Sequence, residues 1–150
     1  MSATKRFFTI LSILLLSDVI TVIIGFKHSQ DMSIIWLPTI ALIYTLSSSI
    51  YSTLFLLIDK IHPTSQRYTI IYNTLLAITL ITLGILFYTV KIDWYAINHG
   101  QATLTPWQSI VRSDATYFVI LTFFLIIHLI RATFLRIFPS SRLTFSRFNL

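Results

Sequence analysis

The chain has 150 residues, of which 55% are hydrophobic and 11% charged, whereas an average soluble domain carries about 25% charged residues. The absence of Cys excludes disulfides, thiolate metal sites and Cys nucleophiles. The formal charge of +6 comes from basic residues that flank long apolar runs, a pattern that argues against nucleic-acid binding and indicates a membrane protein.

The first apolar run covers residues 7–26. It is long enough for one helical crossing of a bilayer, which takes about 20 mostly apolar residues. Lys5 and Arg6 in front of it resemble the start of a signal peptide. However, the run continues past Asp18 and no Ala-x-Ala cleavage site follows, so the sequence favours a first helix that is retained.

Three further runs of this kind cover residues 34–58, 68–90 and 116–138. They are rich in β-branched residues, which favour strands in water. In lipid, however, every backbone N–H and C=O must be satisfied within the segment, so these runs are expected to be helices. The sequence therefore predicts a single domain, an all-α integral membrane bundle of four transmembrane helices.

The connections between these runs are short, except for the loop of residues 91–115. Within that loop, Thr105 and Pro106 predict an N-cap followed by Pro at the first helical position, and hence a short surface helix over residues 107–113. Residues 139–150 form a basic tail. No soluble domain fits into these segments, so the helix faces are the main surfaces that a partner would contact.

Basic residues are unevenly divided between the two sides of this predicted bundle. The side that holds both termini and the second loop carries Lys5, Arg6, Lys60, Arg67, Arg136, Arg142 and Arg147. The opposite side carries only Lys27, Lys91 and Arg112. Because cytoplasmic loops carry the excess of Lys and Arg, we expect both termini to be cytoplasmic, in a bacterial inner (plasma) membrane.

Three ionisable residues fall inside the predicted spans. Asp18 lies near the middle of the first, and His128 and Arg131 lie near the middle of the fourth. Ionisable groups at that depth are rare and usually functional. If the first and fourth helices touch, within one chain or across a subunit boundary, these residues are expected to form one buried polar cluster. Its role would be a lock on helix register, a proton or ion pathway, or contact with a partner subunit.

The second span carries several hydroxyl residues, among which Ser48 and Ser52 are four positions apart. Small residues at that spacing allow helices to approach closely. We therefore expect Ser48 and Ser52 to pack against protein, with a pore lining formed by several copies as the alternative. Asn73 in the third span is expected to form an interhelical hydrogen bond.

The sequence offers little for enzyme or cofactor chemistry. It contains no Gly-rich phosphate loop, no HExxH and no GxSxG motif. Haem bound by two imidazoles at mid-membrane would need a second chain to supply a partner for His128. A metal site from His28, Asp31, Asp93 and His99 would need the outer loops to converge. We therefore predict no cofactor, no metal and no enzymatic activity.

The basic residues Arg136, Arg142 and Arg147 suit either the anionic inner leaflet or a partner protein. Together these features favour a non-enzymatic membrane subunit of a larger complex, formed with copies of itself or with other membrane proteins. One alternative is a small channel or a pore-forming effector of the defence or toxin type. Others are an immunity or exclusion protein and a proton-coupled transporter.

Overall fold

The computed structural model describes residues 3–28, 37–90 and 92–138. That part of the chain contains no strand and folds into helices α1 (Ala3–His28), α2 (Leu37–Asp59), α3 (Gln66–Thr89), α4 (Trp94–Asn98), α5 (Pro106–Arg112) and α6 (Asp114–Ile137). Four of these helices, α1, α2, α3 and α6, are long and apolar enough to cross a membrane. The all-α class and the four helices of membrane-spanning length are therefore as predicted.

The long helices extend beyond the apolar runs at several ends. α1 begins at Ala3, four residues before the predicted span, because Lys5 and Arg6 are good helix formers that hydropathy alone excludes. α3 and α6 each begin two residues earlier than predicted. Asp31, Arg142 and Arg147 lie outside the described residues.

The short helix in the long loop was correctly predicted. The Thr105 hydroxyl accepts a hydrogen bond from the Gln108 N–H at 3.2 Å. The Gln108 side chain in turn accepts one from the Thr105 N–H at 2.9 Å, and Pro106 is the first residue of α5. The sequence analysis missed α4, whose five residues are too few to give a periodic pattern. Its cap is Asp93, which accepts a hydrogen bond from the Ala96 N–H at 3.0 Å.

Contacts between side chains fix the direction of each long helix. Near its start, α1 contacts the end of α2, where Arg6 pairs with Asp59. Further along, Asp18 accepts a hydrogen bond from Ser48, eleven positions before Asp59. These two contacts run in opposite order along the two helices, so α1 and α2 are antiparallel.

The same reasoning places α6 parallel to α2. Tyr44 stacks on Tyr117 with ring centroids 4.9 Å apart, and Phe55 stacks on His128 at 3.9 Å. Tyr44 and Phe55 are eleven positions apart on α2, and their partners Tyr117 and His128 are eleven positions apart on α6, in the same order. Because α3 runs back from α2 and contacts α6 in the reverse order, successive long helices alternate in direction.

The helices pack around an apolar core formed by Ile10, Leu14, Tyr51, Phe55, Leu76, Leu80, Leu121 and Phe124. α1 packs most extensively against α3. Their backbones approach closely at Gly84, where an added Cβ would lie 2.5 Å from Cγ2 of Thr21. The outward surface of the spans carries many large apolar side chains, for example Leu46, Ile50 and Ile71, as expected of a surface in contact with lipid.

Candidate functional site

Asp18 on α1 is one of two buried carboxylates among the described residues. It is 5% exposed, and each of its oxygens accepts one hydrogen bond. Ser48 of α2 donates to Oδ2 at 2.8 Å, and Tyr117 of α6 donates to Oδ1 at 3.2 Å. One short acidic side chain on α1 is thereby held by two neutral donors from two other helices.

A cleft of about 330 Å³ opens beside this carboxylate. All four long helices and α5 contribute to its wall. The described lining is mostly apolar and aromatic, with Leu80, Leu83, Phe87, Val111 and Phe118 among its members. Among the described residues that line it, Asp18 is the charged one. We refer to this space as the Asp18 cleft.

Two features of the local sequence build the outer wall of the Asp18 cleft. The capped start of α5 at Thr105 directs that helix back over the bundle, and Val111 near its end is 2% exposed. The second feature is the stack of Tyr44 on Tyr117, which presents two aromatic rings next to the carboxylate. The sequence analysis missed these residues. A signal was present, because Tyr44 precedes Ser48 by one helical turn and so shares its face.

A second polar group closes the end of the bundle where α1 begins. Arg6 forms an ion pair with Asp59 and donates a hydrogen bond to the Thr64 carbonyl oxygen at 2.7 Å. The other carboxylate oxygen of Asp59 accepts a hydrogen bond from the Thr64 N–H at 2.8 Å. This network ties α1 to the turn between α2 and α3. From the sequence, Arg6 was predicted only as a flanking charge, and no role was predicted for Asp59.

His128 and Arg131 lie closer to that end than Asp18 does. His128 is fully buried and lies parallel to the Phe55 ring, at an interplanar angle of 1°. The Arg131 guanidinium lies 4.0 Å from the centroid of the Tyr68 ring, a cation–π contact. Neither ring nitrogen of His128 makes a hydrogen bond of ordinary length and angle to a described residue.

Within one chain, these residues therefore do not form the single cluster that the sequence predicts. Asp18 is level with Tyr117, whereas His128 lies eleven residues further along α6, which corresponds to about 16 Å at the helical rise. The prediction assumed that α1 and α6 are neighbours and that the centres of their apolar runs share one depth. Instead, α6 packs mainly against α2 and α3. Contact between Asp18 and Arg131 of different copies stays a prediction.

The hydroxyl residues of α2 divide between its two faces. Ser48 and Ser52 are fully buried inside the bundle, and Ser52 donates to the Ser48 carbonyl oxygen at 2.7 Å. Ser49 and Thr53 face outward and donate to carbonyl oxygens of their own helix, at 2.7 and 2.9 Å. Asn73 is also buried.

The amide N–H of Asn73 does not form the interhelical hydrogen bond that the sequence predicts. Its Nδ2 instead donates to the Thr69 carbonyl oxygen within α3, at 2.7 Å. A carbonyl one turn earlier is always within reach of a short polar side chain in a helix, and sequence spacing does not reveal this competition.

The remaining residues singled out from the sequence are dispersed. Arg136 lies exposed in the last turn of α6. Asp93 caps α4, and His99 makes a 2.8 Å contact between Nδ1 and the Tyr95 carbonyl oxygen. Among the described residues, no group of three or more His, Asp or Glu side chains is placed to hold a metal ion.

Comparisons with protein-family models, with curated proteins and with solved structures find no match to this chain.

Proposed function

We propose that this protein is a non-enzymatic subunit of a membrane complex, formed with copies of itself or with other membrane proteins. One observation carries the proposal. Ala41, Thr45, Ser49 and Thr53 recur at intervals of four along α2 and therefore share one face. Ala41, Thr45 and Thr53 are exposed and Ser49 is half-buried. We refer to this face as the α2 stripe.

The α2 stripe is suited to contact with another helix. Its small side chains would let a second backbone approach closely, which is the main source of helix association in lipid. The hydroxyls of Ser49 and Thr53 are already bonded to carbonyl oxygens of α2. These two hydroxyls therefore present no unpaired donor to lipid or to a partner. The stripe interrupts an outward surface that otherwise carries large apolar side chains such as Leu42, Leu46 and Ile50.

The alternative of a channel built around α2 receives less support. Ser48 and Ser52, the hydroxyls that would line it, are buried inside a single chain. The outward hydroxyls of Ser49 and Thr53 already donate to carbonyl oxygens of α2, so neither has a free donor for water. An immunity or exclusion protein would differ from a subunit only in the identity of the partner on the stripe.

We further propose that both termini are cytoplasmic and that the membrane is the bacterial inner membrane. The alternating helix directions support this, because they gather Lys5, Arg6, Lys60, Arg67 and Arg136 at the end of the bundle where α1 begins. An excess of basic residues marks the cytoplasmic side.

Cross-linking tests the subunit proposal directly, because the chain has no native Cys. Ser49→Cys labelled with a benzophenone maleimide should capture a neighbouring protein in the native membrane on illumination. Val119→Cys is the matched control, since Val119 lies two residues from Tyr117 on α6, is 63% exposed and sits at a similar level. Capture from both positions at the same yield, or from neither, would contradict association through the α2 stripe. Steps of conductance in a planar bilayer would favour the channel instead.

A further inference from the structure

We propose that the Asp18 cleft binds an amphipathic organic cation, an ammonium group carried on a small aromatic or aliphatic body. The proposal concerns a ligand inside one chain and does not depend on the subunit role. It rests on the juxtaposition of one buried carboxylate, an aromatic wall and an apolar cleft of suitable size.

The negative charge of Asp18 favours a positively charged ligand. Asp18 is almost completely buried, yet its described partners, Ser48 and Tyr117, are neutral hydroxyls. None of the described residues that line the cleft is basic, and Arg6 is already paired with Asp59 at the far end of the bundle. A buried carboxylate without a counter-charge is unfavourable in a low-dielectric interior, so a cation is the occupant that stabilises it most.

The lining of the cleft selects a cation with an apolar body. The stacked rings of Tyr44 and Tyr117 lie next to the carboxylate, and Phe87 and Phe118 lie further along the wall. Aromatic faces attract ammonium groups, more strongly when water is excluded. A bare Mg²⁺ or Ca²⁺ ion would need six or more oxygen ligands, which this mostly apolar lining does not supply.

The volume sets an approximate size. At about 330 Å³, the cleft lies at the lower end of the range for small-molecule sites, which is about 300–1,000 Å³. A single substituted ring with an ammonium head is of this order, whereas a whole phospholipid is much larger. A neutral molecule of the same size would fill the space but would leave the carboxylate uncompensated.

Binding of benzyltrimethylammonium to the purified protein in a non-ionic detergent, measured by calorimetry, tests the proposal. Its carbon isostere neopentylbenzene has the same shape without the charge. The cation should bind and the isostere should bind at least about tenfold more weakly, which corresponds to one modest electrostatic contact. Equal affinity for the two would reduce the site to an apolar cavity, and no binding of the cation at millimolar concentration would also overturn the proposal.

Two pairs of variants locate the site. Asp18→Asn removes the charge and keeps one acceptor oxygen, while its NH2 group can donate to the hydroxyl that loses its acceptor; it should weaken binding of the cation at least about tenfold. Asp93→Asn removes a carboxylate that caps α4 away from the cleft and should leave affinity unchanged. Val22→Phe fills the cleft and should abolish binding, whereas Val19→Phe places the same ring on the exposed side of α1 and should not.

A further variant tests whether the cleft binds a cation or an anion. Arg112 follows the cleft-lining residue Val111 in the chain. Because Arg112→Gln removes a positive charge, it should leave the affinity for the cation unchanged or increase it. Loss of binding in Arg112→Gln with normal binding in Asp18→Asn would indicate an anion site and would overturn the proposal.

Discussion

Two buried carboxylates in this bundle are stabilised by different chemistry. Asp59 has a guanidinium partner in Arg6 and a backbone donor in Thr64. Asp18 has two hydroxyl donors and no described basic neighbour. Because removing one member of a buried ion pair leaves the other charge uncompensated, the two sites should respond differently to substitution.

For the Arg6–Asp59 pair, we expect the double variant to be more stable than the sum of its single variants predicts. Arg6→Met leaves Asp59 with only hydrogen-bond donors, and Asp59→Leu leaves Arg6 without its counter-charge. Breaking a fully buried pair costs about 3–5 kcal/mol, and the cost here should be smaller because the Arg6 side chain is 16% exposed. Melting temperatures in detergent for the two singles and the double give the coupling. Strict additivity would mean that the pair contributes nothing.

For Asp18 and Arg131 of a single chain, the opposite result is expected. The Arg131 backbone lies fourteen residues beyond Tyr117 on α6, about 21 Å along the helix, and the guanidinium contacts Tyr68. Residues that are more than about 10 Å apart and share no partner lose stability additively. Melting temperatures of Asp18→Asn, Arg131→Leu and the double should therefore sum. A clear coupling would point to contact between Asp18 of one copy and Arg131 of another.

At the scale of helices, a close approach of α1 and α3 depends on one glycine. A methyl group at residue 84 would collide with Thr21 Cγ2 at 2.5 Å, so Gly84→Ala should separate the two helices and lower the melting temperature. Thr21→Ala removes the colliding atoms, and the double variant should recover most of the loss. Failure of this rescue would mean that the contact at Gly84 is not what limits the approach.

The secondary structure of the long apolar runs can be predicted because their expected solvent is lipid. Lipid leaves a long apolar run only the helix, so the runs around residues 7–26 and 116–138 indicate helices despite their β-branched residues. The neighbours of a polar residue depend on helix order and rotation, which hydropathy does not encode. Asp18 was therefore paired with Arg131 instead of Tyr117. The capped start of α5 was predictable because Thr105 and Gln108 act on backbone groups within one turn.

Across the whole molecule, several polar side chains are buried beside the apolar core, and many large apolar side chains face outward. Asp18, Asp59, Asn73 and His128 are buried, while most exposed large side chains of the spans are apolar. In lipid there is no hydrophobic force between helices, so the inward hydrogen bonds and close packing must hold the bundle together. Because the four long helices alternate in direction, we predict that they cross the membrane in alternating directions.

The crossing pattern is testable because the native chain has no Cys that would react in the background. Single Cys residues at positions 4, 66 and 101 replace Thr4 in the first turn of α1, Gln66 at the start of α3 and Gln101 between α4 and α5, and all three positions are exposed. A membrane-impermeant maleimide should label Gln101→Cys in intact cells, and Thr4→Cys and Gln66→Cys only in inverted vesicles, because the basic residues gather at the Thr4 end. Solubilised protein, in which every Cys should react, is the control.

A C-terminal reporter fusion completes this test of topology and should give a cytoplasmic signal. Two distinct failures are informative. If Thr4 and Gln66 were labelled from opposite sides, α1 and α2 would not both cross the membrane, and the Arg6–Asp59 ion pair that joins their ends would be impossible. If instead all reporters were reversed together, the alternating bundle would stand and only the orientation assigned from the basic residues would be wrong.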